Sequence, residues 1–256
     1  MPVYGIAVVS QHVYIVRPWS TVIEVYDTNT YHPLPHLSIP RLLDVTDIAG
    51  CALHQQLYVA DSDSRALHTI ALTNDDHQLQ QQQHLVGHWS LKNKPYGVSV
   101  STSGHVIVSF SNVSLVTIYI HTGEEQREIV VSDVVNLRHA ILLDSGQLVI
   151  CHGCHQHQAG AGVAIIDSDG RMVTRETNTQ LGWATDVATD QRGGFIYVAD
   201  YSNKRVVQLQ SDLTYISDIL GYDQRLRNPR SICVDSAARR LYVADASGSV
   251  LVFALT

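Results

Sequence analysis

The chain has 256 residues, 45% of them hydrophobic and 16% charged, with a formal net charge of -7; that is enough for one large all-β domain and too acidic for a protein that coats nucleic acid over its whole surface. No run approaches the ~18–20 uninterrupted apolar residues of a membrane span, and the opening Met-Pro-Val-Tyr-Gly-Ile-Ala lacks the basic region and cleavage site of an export signal, so a cytoplasmic protein without membrane attachment is expected. Two of the four cysteines, Cys51 and Cys233, sit inside apolar runs, which speaks against a small disulfide-built secreted domain.

In chain order, the first candidate strands are Gly5 to Val8, Val13 to Val16 and Val22 to Tyr26, followed by a turn at Asp27-Thr28-Asn29-Thr30 and an outer strand near His36 to Ile39. The pattern then returns as Asp47 to Ala49, Leu57 to Ala60, Ala66 to Ile70 and His84 to Val86, with a polar insertion ending in Gln80 to Gln83 that reads as a solvated loop. Pro95 to Val100, His105 to Phe110 and Leu115 to Ile120 make a third round, and His139 to Leu142, Leu148 to Cys151 and Val163 to Ile166 a fourth. The fifth holds Ala184 to Ala188, Phe195 to Ala199, Arg205 to Leu209 and Tyr215 to Leu220; the sixth holds Pro229 to Asp235, Leu241 to Ala244 and Val250 to Leu255.

The second strand of each round carries the clearest repeat. Tyr58-Val59-Ala60-Asp61, Tyr197-Val198-Ala199-Asp200 and Tyr242-Val243-Ala244-Asp245 are full copies, and weaker ones start at Tyr14, Val106 and Val149. The six starting positions are separated by 44, 48, 43, 48 and 45 residues. A period of that size carried by short apolar runs predicts a six-bladed β-propeller in one domain, residues 1–256, with blades near 1–41, 42–91, 92–135, 136–180, 181–225 and 226–256. No closing outer strand follows in the last blade, so Val250 to Leu255 is expected to be an apolar open edge, which implies either a domain cut from a longer protein or a second copy that pairs there.

Pro229-Arg230-Ser231-Ile232-Cys233-Val234-Asp235 with Leu241 to Asp245, and Tyr197 to Asp200 with Ser202-Asn203-Lys204-Arg205-Val206-Val207, resemble NHL repeats. The spacing carries the resemblance along the whole chain, most specifically in blades five and six. It is similar to the C-terminal propeller of TRIM-NHL proteins, which implies a domain that recruits protein or RNA. No RING, B-box or coiled-coil segment accompanies it, so ligase activity is not implied. The recurrent Asp61, Asp200 and Asp245 end a strand where a short carboxylate bonds nearby backbone, a structural role.

Chemistry-bearing residues are few. Cys151, Cys154, His155 and His157 form the one dense Cys/His group and are weak candidates for a metal; Cys151 takes the place of the alanine of the repeat and is expected to be buried, with Cys154 in the following loop. No metal or cofactor is expected. There is no G-x-S-x-G elbow, no H-E-x-x-H and no glycine-rich phosphate loop. Asp47, His139, Asp186 and Arg230 lie in or beside the innermost strands, where a hydrolase or lyase working in the channel would place its groups; this is the minor reading.

Loops joining the fourth strand to the next first strand, and second strands to third strands, leave a propeller on one face. Eleven of the seventeen basic residues fall on those connections: Arg17, Arg41, Arg65, Lys92, Lys94, Arg138, Lys204, Arg205, Arg225, Arg227 and Arg230. Trp19, Trp89, Trp183, Phe110, Tyr201 and Tyr222 fall there too, and Tyr96 lies beside them. Tryptophan, tyrosine and arginine are the types enriched at interface hot spots. The expected function is therefore a non-catalytic scaffold that offers Trp19, Arg41, Arg65, Lys94, Tyr96, Arg138, Trp183, Tyr201, Arg205, Arg227 and Arg230 to a protein or peptide partner. Single-stranded RNA held on the same face is the alternative, disfavoured because acidic residues are interleaved with the basic ones.

Overall fold

Runs such as Leu57 to Ala60 are apolar at every position, which is the pattern of a strand buried on both faces. In the computed structural model, which describes residues 1–72, 86–154, 157–176, 180–190, 194–220 and 226–255, such runs form the inner strands of six antiparallel sheets. The first sheet is β1 (Gly5–Val9), β2 (His12–Val16), β3 (Val22–Asp27) and β4 (Leu37–Ser38). The second is β5 (Val45–Cys51), β6 (Gln56–Asp61), β7 (Ala66–Ala71) and β8 (Val86–Ser90); the third is β9 (Gly97–Val100), β10 (Val106–Phe110), β11 (Leu115–Tyr119) and β12 (Glu125–Val130). The fourth is β13 (His139–Leu142), β14 (Leu148–Cys154), β15 (His157–Ile166) and β16 (Met172–Arg175), and the fifth is β17 (Ala184–Asp190), β18 (Phe195–Asp200), β19 (Arg205–Leu209) and β20 (Tyr215–Leu220). The sixth has three strands, β21 (Pro229–Asp235), β22 (Arg240–Asp245) and β23 (Val250–Ala254). Each first strand packs on the next, and β1 against β21 closes the ring, so the chain is a six-bladed β-propeller.

The repeat is explained by strand alternation. In β6, Tyr58 and Ala60 face the third blade while Leu57 and Val59 face the first. In β18, Tyr197 and Ala199 face the sixth blade while Ile196 and Val198 face the fourth. In β22, Tyr242 and Ala244 face the first blade. A large ring and a methyl group side by side fill the wedge between two blades, so neither residue is free to change size. Six apolar clusters result, one in each seam between adjoining blades.

The seam between blades six and one is the thinnest. Its buried apolar members are Val3, Ile6, Val13, Ile15, Tyr242 and Ala244. Beside it, where the other blades carry a fourth strand, an open groove of about 410 Å³ is lined by Val13, Ile15, Tyr26, Tyr31, Val250 and Val252. Val250 to Phe253 are each only partly buried.

Three sequence expectations change. The ladder of blade four does not end at Cys151: a bulge between His152 and Cys154, with Gly153 at φ 97°, lets β14 continue, so Cys154 is paired opposite His157 rather than lying in a loop. Trp89 is not on a connection but in β8, wedged between Tyr58 and Tyr119 at ring-centroid distances of 5.5 and 5.7 Å. Phe110 is likewise a buried seam residue, not part of a surface. Gln80 to Gln83, Tyr222, Arg225 and His155 lie outside the described residues.

Candidate functional site

The first strands converge on the central channel with one residue each at matching register, Gly5, Asp47, Gly97, His139, Asp186 and Ser231. The two glycines make room. A Cβ on Gly5 would lie 2.8 Å from Asp47 Oδ1, and one on Gly97 would lie 2.7 Å from the Arg138 carbonyl oxygen and 2.8 Å from the His139 ring.

Asp47 and Asp186 do the same work in opposite blades. Each accepts the N–H of its own following residue, Ile48 at 2.9 Å and Val187 at 2.7 Å. Each also accepts from the next blade, Val98 N–H at 2.9 Å and Ile232 N–H at 2.8 Å. Between them stands His139, with Nδ1 2.8 Å from Asp186 Oδ1 and Nε2 3.2 Å from the Val98 carbonyl oxygen and 3.5 Å from Asp47 Oδ2. Both ring nitrogens face acceptors, which is the environment of an imidazolium. Burial disfavours that charge, but the Asp186 and Asp47 carboxylates and the Val98 carbonyl outweigh it and raise the His139 pKa to about 9. Asp47 is pushed up to about 7, chiefly by burial, with His139 lowering it and the Asp186 charge raising it.

Immediately before these residues, six side chains ring the channel mouth: Tyr4, Thr46, Tyr96, Arg138, Thr185 and Arg230. They surround a space of about 20 Å³ whose floor is Asp47, His139 and Asp186. The guanidinium of Arg230 lies 3.5 Å above the centroid of Tyr4. That of Arg138 lies 4.6 Å from the Tyr96 ring and 5.1 Å from Trp183. Trp183 in turn packs edge-on against Tyr201 at 4.8 Å. Tyr96, Arg138, Trp183 and Tyr201, separate in sequence, thus form one continuous half-buried patch beside the mouth. The other end of the channel is a funnel of about 350 Å³, lined by Val8, Cys51, Ser99, Thr102, Thr189 and Cys233 among others.

The remaining expected face residues sit around this centre. Trp19 is 75% exposed on the turn after β2, and Arg41, Arg65 and Arg227 are exposed on connections of the same face. Lys94 pairs with Asp63 at 2.8 Å. Arg205 is committed to Asp200 and Asp218 at 3.0 and 3.1 Å. Tyr4, Thr46 and Thr185 were not singled out from the sequence. The signal that finds them is their shared position one residue ahead of the channel-lining residue in each blade.

The recurrent aspartates are structural. Asp200 accepts from Gly182 N–H, Trp183 N–H, Asn203 Nδ2 and Arg205 Nε, and Asp245 from the N–H groups of Arg227, Asn228 and Ser247. Asp61 accepts from Leu43 and Asp44 N–H and pairs with His68. Each carboxylate thus pins the loop that enters its own blade to the end of that blade's second strand. Cys151 is fully buried, and burial raises its thiol pKa well above the usual range; His155 and the side chains of Cys154 and His157 lie outside the described residues. Among the described residues no group of three His, Cys, Asp or Glu is placed to hold a metal.

No protein-family model matches the sequence, and no curated protein does. Solved structures do match in fold. Kuenenia stuttgartiensis hydrazine synthase aligns with a TM-score of 0.69 over 100% of this chain and 96% of that one, at 14% identity. A nidogen/laminin complex gives 0.69 over 90% and 83% at 14% identity, and virginiamycin B lyase from Staphylococcus aureus 0.64 over 100% and 85% at 12%. Enzymes and a protein-binding propeller share this architecture, so the likeness is one of fold alone.

Proposed function

We propose that this chain is a non-catalytic, NHL-type binding platform that holds a protein partner, in the cytoplasm, on the loop face around the channel mouth. The observation that carries this reading is Arg138, clasped between Tyr96 and Trp183 with no acidic partner among the described residues. A stacked cation beside a half-buried tryptophan and tyrosine is the make-up of an interface anchor. The channel offers little to catalysis in comparison: the oxygens of Asp47 and Asp186 are taken up by backbone N–H groups and His139. RNA is the second reading, since the same rings would stack bases; Lys94 and Arg205, already paired with carboxylates, count against it.

The test is selection of phage-displayed peptides on the immobilised protein, in parallel with fluorescence anisotropy of a pool of single-stranded RNAs at two salt concentrations. Peptides that bind wild type and lose binding to a folded Trp183→Ala variant support the platform. Tight RNA binding that weakens steeply with salt, without peptide binding, would replace it.

A further inference from the structure

We propose that the channel mouth is a socket for one carboxylate, an aspartate or glutamate side chain of the protein partner, received between Arg138 and Arg230. The proposal rests on the platform reading and names the chemistry at its centre.

Arg138 and Arg230 come from blades four and six, flank Thr185 of blade five, and line the same small space. Each guanidinium lies over an aromatic ring, Arg138 over Tyr96 and Trp183 and Arg230 over Tyr4. A cation–π contact holds the group in place without using its N–H donors, which stay available to an acceptor. Those donors are unused: neither guanidinium makes a hydrogen bond or an ion pair with a described residue, and Arg138 Nε is buried without a partner. Two other partly buried arginines show the contrast. Arg17 holds Glu24 and the carbonyl oxygens of Met1 and Gly248, and Arg205 holds two aspartates. A buried donor left unpaired is costly, so an acceptor brought to Arg138 Nε would gain the hydrogen bond that the folded chain does not supply.

The nearby acids do not fill the role. Asp47 and Asp186 spend their oxygens on Ile48, Val98, Val187 and Ile232 N–H groups and on His139. In charge, Arg138 and Arg230 give the mouth two guanidinium groups that no ion pair with a described residue neutralises, Asp44 interacting with Arg230 only at longer range. The space beneath the two guanidinium groups is small, about 20 Å³, so the group held at its mouth must be terminal: a side-chain carboxylate ends its chain, whereas the phosphate of an RNA strand carries ester oxygens on both sides.

The test uses two blocked tripeptides, acetyl-Gly-Glu-Gly-amide and acetyl-Gly-Gln-Gly-amide, titrated into the whole chain while the arginine Nε–H signals are followed by NMR. The glutamate peptide should move the Arg138 and Arg230 signals, and the glutamine peptide should bind at least about tenfold more weakly, the ratio worth about 1.4 kcal/mol. Arg138→Gln and Arg230→Gln, checked as folded by thermal melting, should each remove that preference. Equal response to both peptides, no response, or a preference that survives the double variant would overturn the socket. So would inorganic phosphate binding through the same two arginines more tightly than the glutamate peptide. Phage peptides captured through Trp183 with no acidic residue in common would overturn the socket and leave the platform standing; absence of any captured peptide would remove the platform itself.

Discussion

His139 Nδ1 lies 2.8 Å from Asp186 Oδ1 of the adjoining blade, and this pair is one of four links in a polar chain through five blades. Asp47 in blade two accepts from Val98 N–H in blade three, whose carbonyl accepts from His139 in blade four; Asp186 in blade five then accepts from Ile232 N–H in blade six. The chain ties the innermost strands of blades two to six to one another at the channel.

Stability is expected to fall as the pH rises from neutral into the alkaline range. His139 has a folded pKa of about 9 against 6.5 unperturbed, so its contribution is complete below 6.5 and lost as pH rises through about 9. Asp47, raised from 3.8 to about 7, acts in the same direction at lower pH, its contribution being lost as pH rises through about 7. Asp61 works oppositely: burial would raise it, but His68 and the N–H groups of Leu43, Asp44 and Ser64 outweigh burial, so its contribution is lost as pH falls below 3.8. Thermal melts of wild type and His139→Gln at pH 5, 7 and 9 check this. The variant should lose roughly 3–5 kcal/mol at pH 5, as expected for breaking a buried ion pair, and much less at pH 9. Equal losses at all three values would show that the ring is not charged.

Asp200→Ala should be among the most damaging single changes. It strips partners from Gly182 N–H, Trp183 N–H, Asn203 and Arg205 at a fully buried site. Roughly 3–5 kcal/mol is expected by urea unfolding, whereas Asp169→Ala, whose partner Arg171 is itself exposed, should cost under about 1 kcal/mol.

Gly97→Ala places a methyl group 2.7 Å from Ser109 Oγ and the Arg138 carbonyl oxygen. A loss of roughly 1–3 kcal/mol is expected from overpacking, together with a displaced His139 ring signal by NMR. Gly162→Ala, with no atom of a described residue within 4 Å of its added Cβ, is the control and should leave both unchanged.

Among the described residues no strand pairs with the outer edge of β23, which is apolar and carries neither a proline nor a charged residue within Val250–Ala254, so pairing with another chain is expected there. Light scattering coupled to size exclusion is expected to show a mass that rises with concentration, and Val252→Lys, placed in the groove beside β23, should hold the protein at the monomer mass. A wild-type mass that never rises would show that the edge stays unpaired.

Fold class, blade number and the three-stranded last blade were legible in the sequence, because a strand buried on both faces writes its environment into consecutive residues. Tyr58 and Ala60 point one way and Leu57 and Val59 the other wherever the sheet lies. The structural role of Asp61, Asp200 and Asp245 was legible for the same local reason: their partners sit within eighteen residues. Trp89 was misplaced because an outer strand makes fewer demands on its sequence, and the last strand of blade two extends past the point where its apolar residues begin. Only closure of the ring decided the channel mouth. Tyr4, Thr46, Tyr96, Arg138, Thr185 and Arg230 come one from each blade, and nothing in any single repeat states that Arg138 will meet Trp183 or that Arg230 will meet Tyr4. Their meeting follows from the angle at which six wedges pack, a property of the assembled circle that no local stretch of chain carries.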